Sequence, residues 1–338
     1  MDWQGVSDSI FAICAYKKIQ FLTKIYFHYK SSRELYSDPI GANPAEAELK
    51  ILTLFKDNII KRGYTPCILE LARYKTCEGI VSMVKKEISC DNVMRSPDLS
   101  YVDKFYVKYC KYAQEVENDL AHDMISYAIM EKCTWPFSYI LHRSLGTTAD
   151  DAIILSLLFQ LIHAMYVINT VYPGFRHRDL HTHNVMLKID INFKFDPINP
   201  QVILLQAQGK KFYVPFFGMY VKIIDFGFSI LPEEGIVSNM YHEKTKDIVR
   251  SNHDMSLFFY WLDRIASSDY VSDVVKTYIE DILNRLDPHG IYYNYDVHYI
   301  NSHIESAPTH TELINNPIFS GYLDKGKAVI YKQYVACD

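Results

Sequence analysis

Hydrophobic and polar positions change period along this 338-residue chain, and the changes mark its elements. Ile10 to Ala15 and Phe21 to Phe27 are apolar, β-prone runs parted by the polar Tyr16-Lys17-Lys18, which predicts a hairpin. Lys24 lies inside the second run, among Phe21, Leu22, Ile25 and Tyr26. From Ala45 to Lys61 the period turns helical, with Ala45, Leu49, Leu52 and Ile59 recurring, Phe55 nearby, and Pro44 at the start. Gly63-Tyr64-Thr65-Pro66 ends that helix, and Ile68 to Tyr74 reads as the next strand. Lys75 to His122 is polar and mixed in charge, helical in its second half, and longer than a simple connection between strands. Met124 to Glu131 is a strong strand. Asp150 to Tyr172 carries a helical stripe of Ile154, Leu157, Leu158, Leu161, Met165 and Ile168, which Pro173-Gly174 breaks, and Val271 to Leu286 is amphipathic again.

Composition narrows the class. At 39.4 kDa and 49% hydrophobic residues, the chain can bury the core of one large two-lobed domain or of two ordinary ones. A formal charge of −5 and a pI near 6.2 leave no overall basic field, so charge alone implies neither nucleic acid nor an anionic membrane as partner. A local basic patch stays open. Seven cysteines without a C-x-x-C pair read as buried free thiols, and with them a reducing compartment. Met1-Asp2-Trp3-Gln4-Gly5 lacks the basic start and apolar run of a signal peptide, which predicts an intracellular protein, cytoplasmic or nuclear. The longest apolar run, Ala152 to Ile168, contains Ser156, Gln160 and His163 and is short for a membrane span, so it predicts a buried helix.

Two short stretches carry chemistry. His177-Arg178-Asp179-Leu180-His181-Thr182-His183-Asn184 offers a carboxylate at Asp179 and, five residues on (184 − 179), an amide oxygen at Asn184. Asp225-Phe226-Gly227 offers a second carboxylate on a glycine turn. Phosphoryl transfer needs such a set: hard oxygen ligands for a divalent metal that holds the phosphates, and a separate carboxylate for the attacking hydroxyl. Asn184 and Asp225 suit the first task and Asp179 the second. The three histidines suggest a metal site of another kind, but no Cys or carboxylate spacing completes one.

The pattern H-R-D-L-x-x-x-N followed by D-F-G resembles the catalytic and metal-binding loops of the protein kinase family. The resemblance implies an α+β, bilobal fold, with a small β-rich N-lobe over 1–131 and a larger, mainly helical C-lobe over 132–338. Insertions are expected at about 75–122 and about 189–219, the second between the strands Val185 to Lys188 and Val221 to Ile224. Phe21-Leu22-Thr23-Lys24-Ile25 resembles the kinase strand whose lysine holds the α and β phosphates. Glu48-Leu49-Lys50-Ile51-Leu52 resembles the helix register that supplies the lysine's partner, making Glu48 the preferred carboxylate and Glu46 the runner-up. By the same likeness Met130 backs the adenine pocket, the backbone of Glu131 and Cys133 forms its edge, and Gly5 and Ser7 stand where a glycine-rich loop covers the nucleotide. Arg178 stands where many kinases have an arginine paired by an activation-loop phosphate, or else only braces the loop; His181 takes the place of the usual lysine, and Asp254 resembles the buried aspartate that supports that loop. Glu233 and Glu234 are candidates to give Arg178 a fixed negative charge, with Thr245 and Ser238 as alternative phosphosites.

His181 and the strand insertion make the chain similar to haspin-like kinases and the Ser/Thr kinases of large DNA viruses; a viral source would allow a place in the virion. The implied substrates are ATP with Mg2+ or Mn2+ and a protein hydroxyl, with no nucleic acid evident and no membrane span. Two readings compete. Aminoglycoside and choline kinases share a similar loop, and a pseudokinase scaffold would keep the fold without the reaction.

Overall fold

The computed structural model describes residues 9–16, 19–30, 44–81, 101–143, 148–237, 253–266, 272–286 and 308–335. The hairpin forms as β1 (Ser9–Tyr16) and β2 (Ile19–Tyr29), antiparallel, with Lys24 opposite Phe11. β3 (Leu71–Glu78) and β4 (Ala121–Glu131) complete a four-stranded sheet of order β1-β2-β4-β3. β3 begins three residues later than its apolar pattern predicts (71 − 68) and runs into the expected insertion. The residues before it are drawn away: Leu69 N–H donates to Ile223 O and Ile223 N–H to Cys67 O, stitching this stretch to the C-terminal part.

Helix α1 (Pro44–Phe55) continues as one π turn, Lys56–Ile60, and buries Ala47, Glu48, Ile51, Leu52 and Phe55. The insertion before β4 holds α2 (Tyr101–Glu117), which lays Tyr109, Tyr112 and Ala113 on Phe27 and Ala121 as a small second core. The Tyr112 hydroxyl accepts from Met124 N–H at 2.9 Å, anchoring that helix to β4.

Past β4 come β5 (Trp135–Pro136), α3 (Phe137–Arg143) and the long α4 (Thr148–Val171). The predicted stripe on α4 is buried, but so are Phe159, Ile162, Ala164 and Val167, so this helix is covered nearly all round. The extra cover comes from the second insertion. β7 (Gln201–Ala207) and β8 (Lys210–Pro215) lie between β6 (Val185–Ile189) and β9 (Met219–Ile223), and Phe212 packs on Phe159 at 5.0 Å. Ser156 Oγ donates to Pro215 O at 2.6 Å, and His163 Nε2 bonds Gln206 O at 2.9 Å. Burial lowers the His163 pKa to about 4, so it is a neutral core residue. A helix of this length and apolarity could span a bilayer, but most of it is enclosed here.

The remaining elements are the short pair β10 (Ile230–Leu231) and β11 (Ile236–Val237), α5 (His253–Ala266), α6 (Asp273–Leu286), α7 (His310–Ile314) and β12 (Val329–Tyr334). Thr309 and Glu312 form a reciprocal cap on α7. β12 pairs parallel with β7, a strand the sequence reading did not anticipate. The architecture is therefore α+β, with a β-rich N-terminal part and a larger, mainly helical C-terminal part, as expected. The free-thiol reading needs correction: Cys67 is buried and free, Cys77 and Cys133 are half-buried, Cys14 is exposed, and Cys110 is disulfide-bonded.

Candidate active site

Lys24 and Glu48 come from different elements, and the structure brings them together. Lys24 Nζ lies 2.6 Å from Glu48 Oε2 and 3.1 Å from Asp225 Oδ1, with Lys24 5% and Glu48 2% exposed. Glu46 is exposed. Two residues along a helix turn the side chain by about 200°, so a helix that buries Glu48 must send Glu46 the other way. Burial alone would lower the Lys24 pKa, but the neighbouring charges of Asp225 and Glu48 outweigh it and hold the pKa well above its usual value. Glu48 is raised by burial, against the pull of Lys24. Asp225 is lowered, first by the charge of Lys24, so it is a carboxylate at neutral pH.

Asp225 follows β9 and has φ 63°, ψ 66°. Among the described residues four non-glycine positions have positive φ, and two of them are Arg178 and Asp225. Strain of this kind persists only where the surroundings hold it, and it collects at functional sites. Here the holding is visible. Phe226 is fully buried, edge-on to Phe55 of α1 at 5.4 Å, and also touches Phe175 and His177.

The loop 177–184 is held from beneath by Asp254, in the first turn of α5. Its Oδ2 accepts from His177 N–H at 2.6 Å and its Oδ1 from Arg178 N–H at 2.7 Å, and Asp254 is fully buried. His177 Nε2 bonds Ile224 O at 2.9 Å, and Ser229 Oγ donates to His177 O at 3.2 Å. Asp254→Ala would strand one buried and one part-buried N–H donor, at about 1–3 kcal/mol for the buried one. The expected outcome is a lowered unfolding midpoint in urea at unchanged slope; a midpoint equal to wild type would remove Asp254 as the support.

Asn184 Nδ2 donates to Asp179 O at 2.8 Å and Asp179 Oδ2 at 2.9 Å, which leaves the amide oxygen for another partner. Ile224 N–H donates to Asn184 O, so Asn184 and the stretch leading into Asp225 are neighbours. No group of three or more His, Cys, Asp or Glu able to hold a metal exists among the described residues. Asn184 and Asp225 fit a cation that keeps waters and phosphate oxygens in its shell, as Mg2+ does, better than a closed protein cage. His183 N–H donates to His181 Nδ1 at 3.1 Å, so His181 carries its proton on Nε2, 3.6 Å from Asp179 Oδ2.

At the expected adenine edge Met130 is buried. The Glu131 N–H is engaged by Glu70 O at 3.1 Å. Its carboxylate sits between Lys222 at 2.6 Å and Lys188, a contact that no sequence motif marks, and Oε1 accepts from Glu70 N–H at 2.8 Å. Burial opposes that charge, but the two lysines prevail and lower the Glu131 pKa. This cluster ties the end of β4 to β6 and β9. Burial raises the Cys133 thiol to about 12, so it stays protonated. Gly5, Ser7, Ser238 and Thr245 lie outside the described residues.

One expectation is corrected. Glu233 Oε1 accepts from Gly174 N–H, and its charge acts on Arg176. Burial lowers the Arg178 pKa, and the charge that opposes this is that of Asp254. The residue after Pro173 is a glycine with no side chain to fill the space, which lets the Glu233 carboxylate reach in.

A β-rich N-terminal sheet with a buried lysine–glutamate pair, and a supported loop facing a strained Asp-Phe-Gly turn, make an α+β, protein-kinase-like fold. No family model matches the chain. It is similar to "Putative serine/threonine-protein kinase R301" of Acanthamoeba polyphaga mimivirus, 26% identical over 308 residues, 84% of this chain and 75% of that relative. The crystal structure of a kinase domain aligns over 92% of both chains at a TM-score of 0.41 and 12% identity, too distant to add weight. The chain thus resembles a divergent protein kinase, and the likeness extends to one from a large DNA virus.

Proposed function

We propose that this protein is an ATP-dependent phosphotransferase that moves the γ-phosphate to a serine or threonine hydroxyl of a protein. The observation that carries the reading is the contact of Lys24 with both Glu48 and Asp225, because it puts the phosphate-holding cation and the metal-binding carboxylate at one point. In this reading Lys24 holds the α and β phosphates while Glu48 fixes its position. Asn184 and Asp225 would hold Mg2+ or Mn2+, which when bound neutralises phosphate charge. Asp179 orients the acceptor hydroxyl and takes its proton, and the Asn184 amide fixes the Asp179 carboxylate in place. His181 turns its Nε2–H toward the same carboxylate, where it can meet the transferred phosphoryl. Met130 and the backbone of Glu131 and Cys133 frame the adenine.

The test is thermal unfolding of the purified chain with ATP, with and without Mg2+. A rise in midpoint that depends on the metal is expected. No shift with either would sink nucleotide binding.

Lys24→Met is expected to lower turnover by about 10²-fold or more, since it removes a charge aimed at the phosphates. Glu48→Gln is expected to lose more activity than Glu46→Gln, because only Glu48 touches Lys24. A larger loss at Glu46 in steady-state assays would contradict the pairing.

A further inference from the structure

The loop between β6 and β7 presents large apolar side chains to water in a rigid frame. Asp190 N–H donates to Gly218 O, and its carboxylate accepts from Tyr331 Oη at 3.2 Å and Lys332 Nζ at 3.0 Å. Phe193 turns inward onto Phe216 at 5.0 Å and Tyr331 at 5.6 Å. Asp196 caps its own turn, taking Ile198 N–H at 2.9 Å and Asn199 N–H at 3.1 Å on Oδ1 and the Asn199 amide on Oδ2. Gln201 Nε2 then closes the loop by donating to Lys194 O at 2.7 Å. So fixed, the loop leaves Ile191 91%, Phe195 70% and Ile198 85% exposed. Scattered exposed apolar residues are ordinary, but three on one pinned loop of eleven residues (200 − 190 + 1) form a patch that asks for a partner.

Charge says which partner. β12 starts beside this loop, since Val329 N–H donates to Pro200 O at 3.0 Å. The turn before it, Asp324-Lys325-Gly326-Lys327, therefore lies against the same end of the sheet, with Leu323 and Val329 also exposed. Lys194, Lys325 and Lys327 are exposed, and none forms an ion pair among the described residues. The local carboxylates Asp196 and Asp324 accept backbone amides and keep their charge, and Asp190 is paired with Lys332, so among the described residues three unpaired lysines stand against two carboxylates. In a chain of net charge −5, this end is apolar at its tips and carries a local excess of one positive charge (3 − 2).

We propose that this end of the β12-β7-β8 sheet docks on an anionic lipid surface, with Ile191, Phe195 and Ile198 entering the headgroup boundary and Lys194, Lys325 and Lys327 meeting the phosphates. Exposed apolar side chains with lysines at the same end of the sheet gain from both burial and headgroup charge, and they need no matching pocket in a fluid surface. The surface is built from the second insertion and the C-terminal strand, so it is independent of the proposed catalytic residues.

The experiment is co-sedimentation of the full chain with vesicles of phosphatidylcholine, alone or containing phosphatidylserine, together with two variants. Ile191→Ser/Phe195→Ser/Ile198→Ser and Lys194→Glu/Lys325→Glu/Lys327→Glu change exposed side chains only, so both are expected to fold and to keep the wild-type unfolding midpoint. Wild type is expected to bind the phosphatidylserine vesicles at least roughly tenfold more tightly than neutral ones, less tightly in high salt, and both variants are expected to lose that binding. A Phe195→Trp probe is expected to shift its emission to the blue on the anionic vesicles. Wild type that stays in the supernatant, or serine-variant binding equal to wild type, would overturn the proposal. Self-association abolished by the serine variant, without vesicle binding, would overturn it in favour of a second copy of this chain.

Discussion

Replacing Asp225 by Asn is expected to abolish phosphotransfer, by about a thousandfold or more, while the chain stays folded. The carboxylate follows β9 in a left-handed conformation and points at Lys24, which holds its pKa low and keeps it charged. Asn keeps the shape and one oxygen but removes the negative charge that a divalent cation needs. The fold should tolerate the loss because Lys24 keeps Glu48 at 2.6 Å and is not left buried without a counter-charge. A group with a depressed pKa contributes stability above its unfolded value and loses it as pH falls through the folded value. The small stability cost of Asp225→Asn should therefore appear at neutral pH and vanish in acid. The measurement is single-turnover phosphotransfer beside an unfolding curve; turnover within tenfold of wild type would remove Asp225 as the main metal ligand.

Asp179→Asn is expected to cost about 10²–10⁴ in turnover and to leave ATP affinity within a few-fold of wild type. Asp179 receives the Asn184 amide on both its backbone oxygen and its carboxylate, so the carboxylate is pre-set rather than mobile. It has no contact with Lys24 or Asp225 among the described residues. A base acting on the acceptor changes the chemical step, and a ligand of the nucleotide would change binding. Nucleotide titration of the variant separates the two: affinity that collapses together with turnover would move Asp179 to the nucleotide side.

How far the sequence could be read depended on whether the signal was local. Two residues span more than half a helical turn, so Glu46 and Glu48 face different ways, and the resemblance of 48–52 to the kinase helix register is what selects Glu48 as the inward one. The Asp254 contact was legible through its motif, and burial of an acid at a helix start is interpretable when backbone donors face it. The Glu131 cluster was not legible. It needs Lys188 on β6 and Lys222 on β9 to reach one carboxylate at the end of β4, and no single-strand pattern encodes that register. β12 is illegible for the same reason: its partner β7 lies more than a hundred residues earlier, and a strand with four of its six positions exposed and no alternation gives a weak signal. The assignment of Glu233 to Arg178 failed because sequence distance said nothing about Gly174, whose amide holds that carboxylate instead.

Phosphotransfer to a protein hydroxyl is tested by incubating wild type and Asp179→Asn with ATP labelled at the γ-phosphate, Mg2+ and a mixed protein substrate, then hydrolysing the protein and identifying the labelled amino acid. Label on serine or threonine with wild type, dependent on metal and lost in Asp179→Asn, is the predicted result. Label found only on an added aminoglycoside or choline, or no transfer from a wild-type chain that binds ATP, would contradict it.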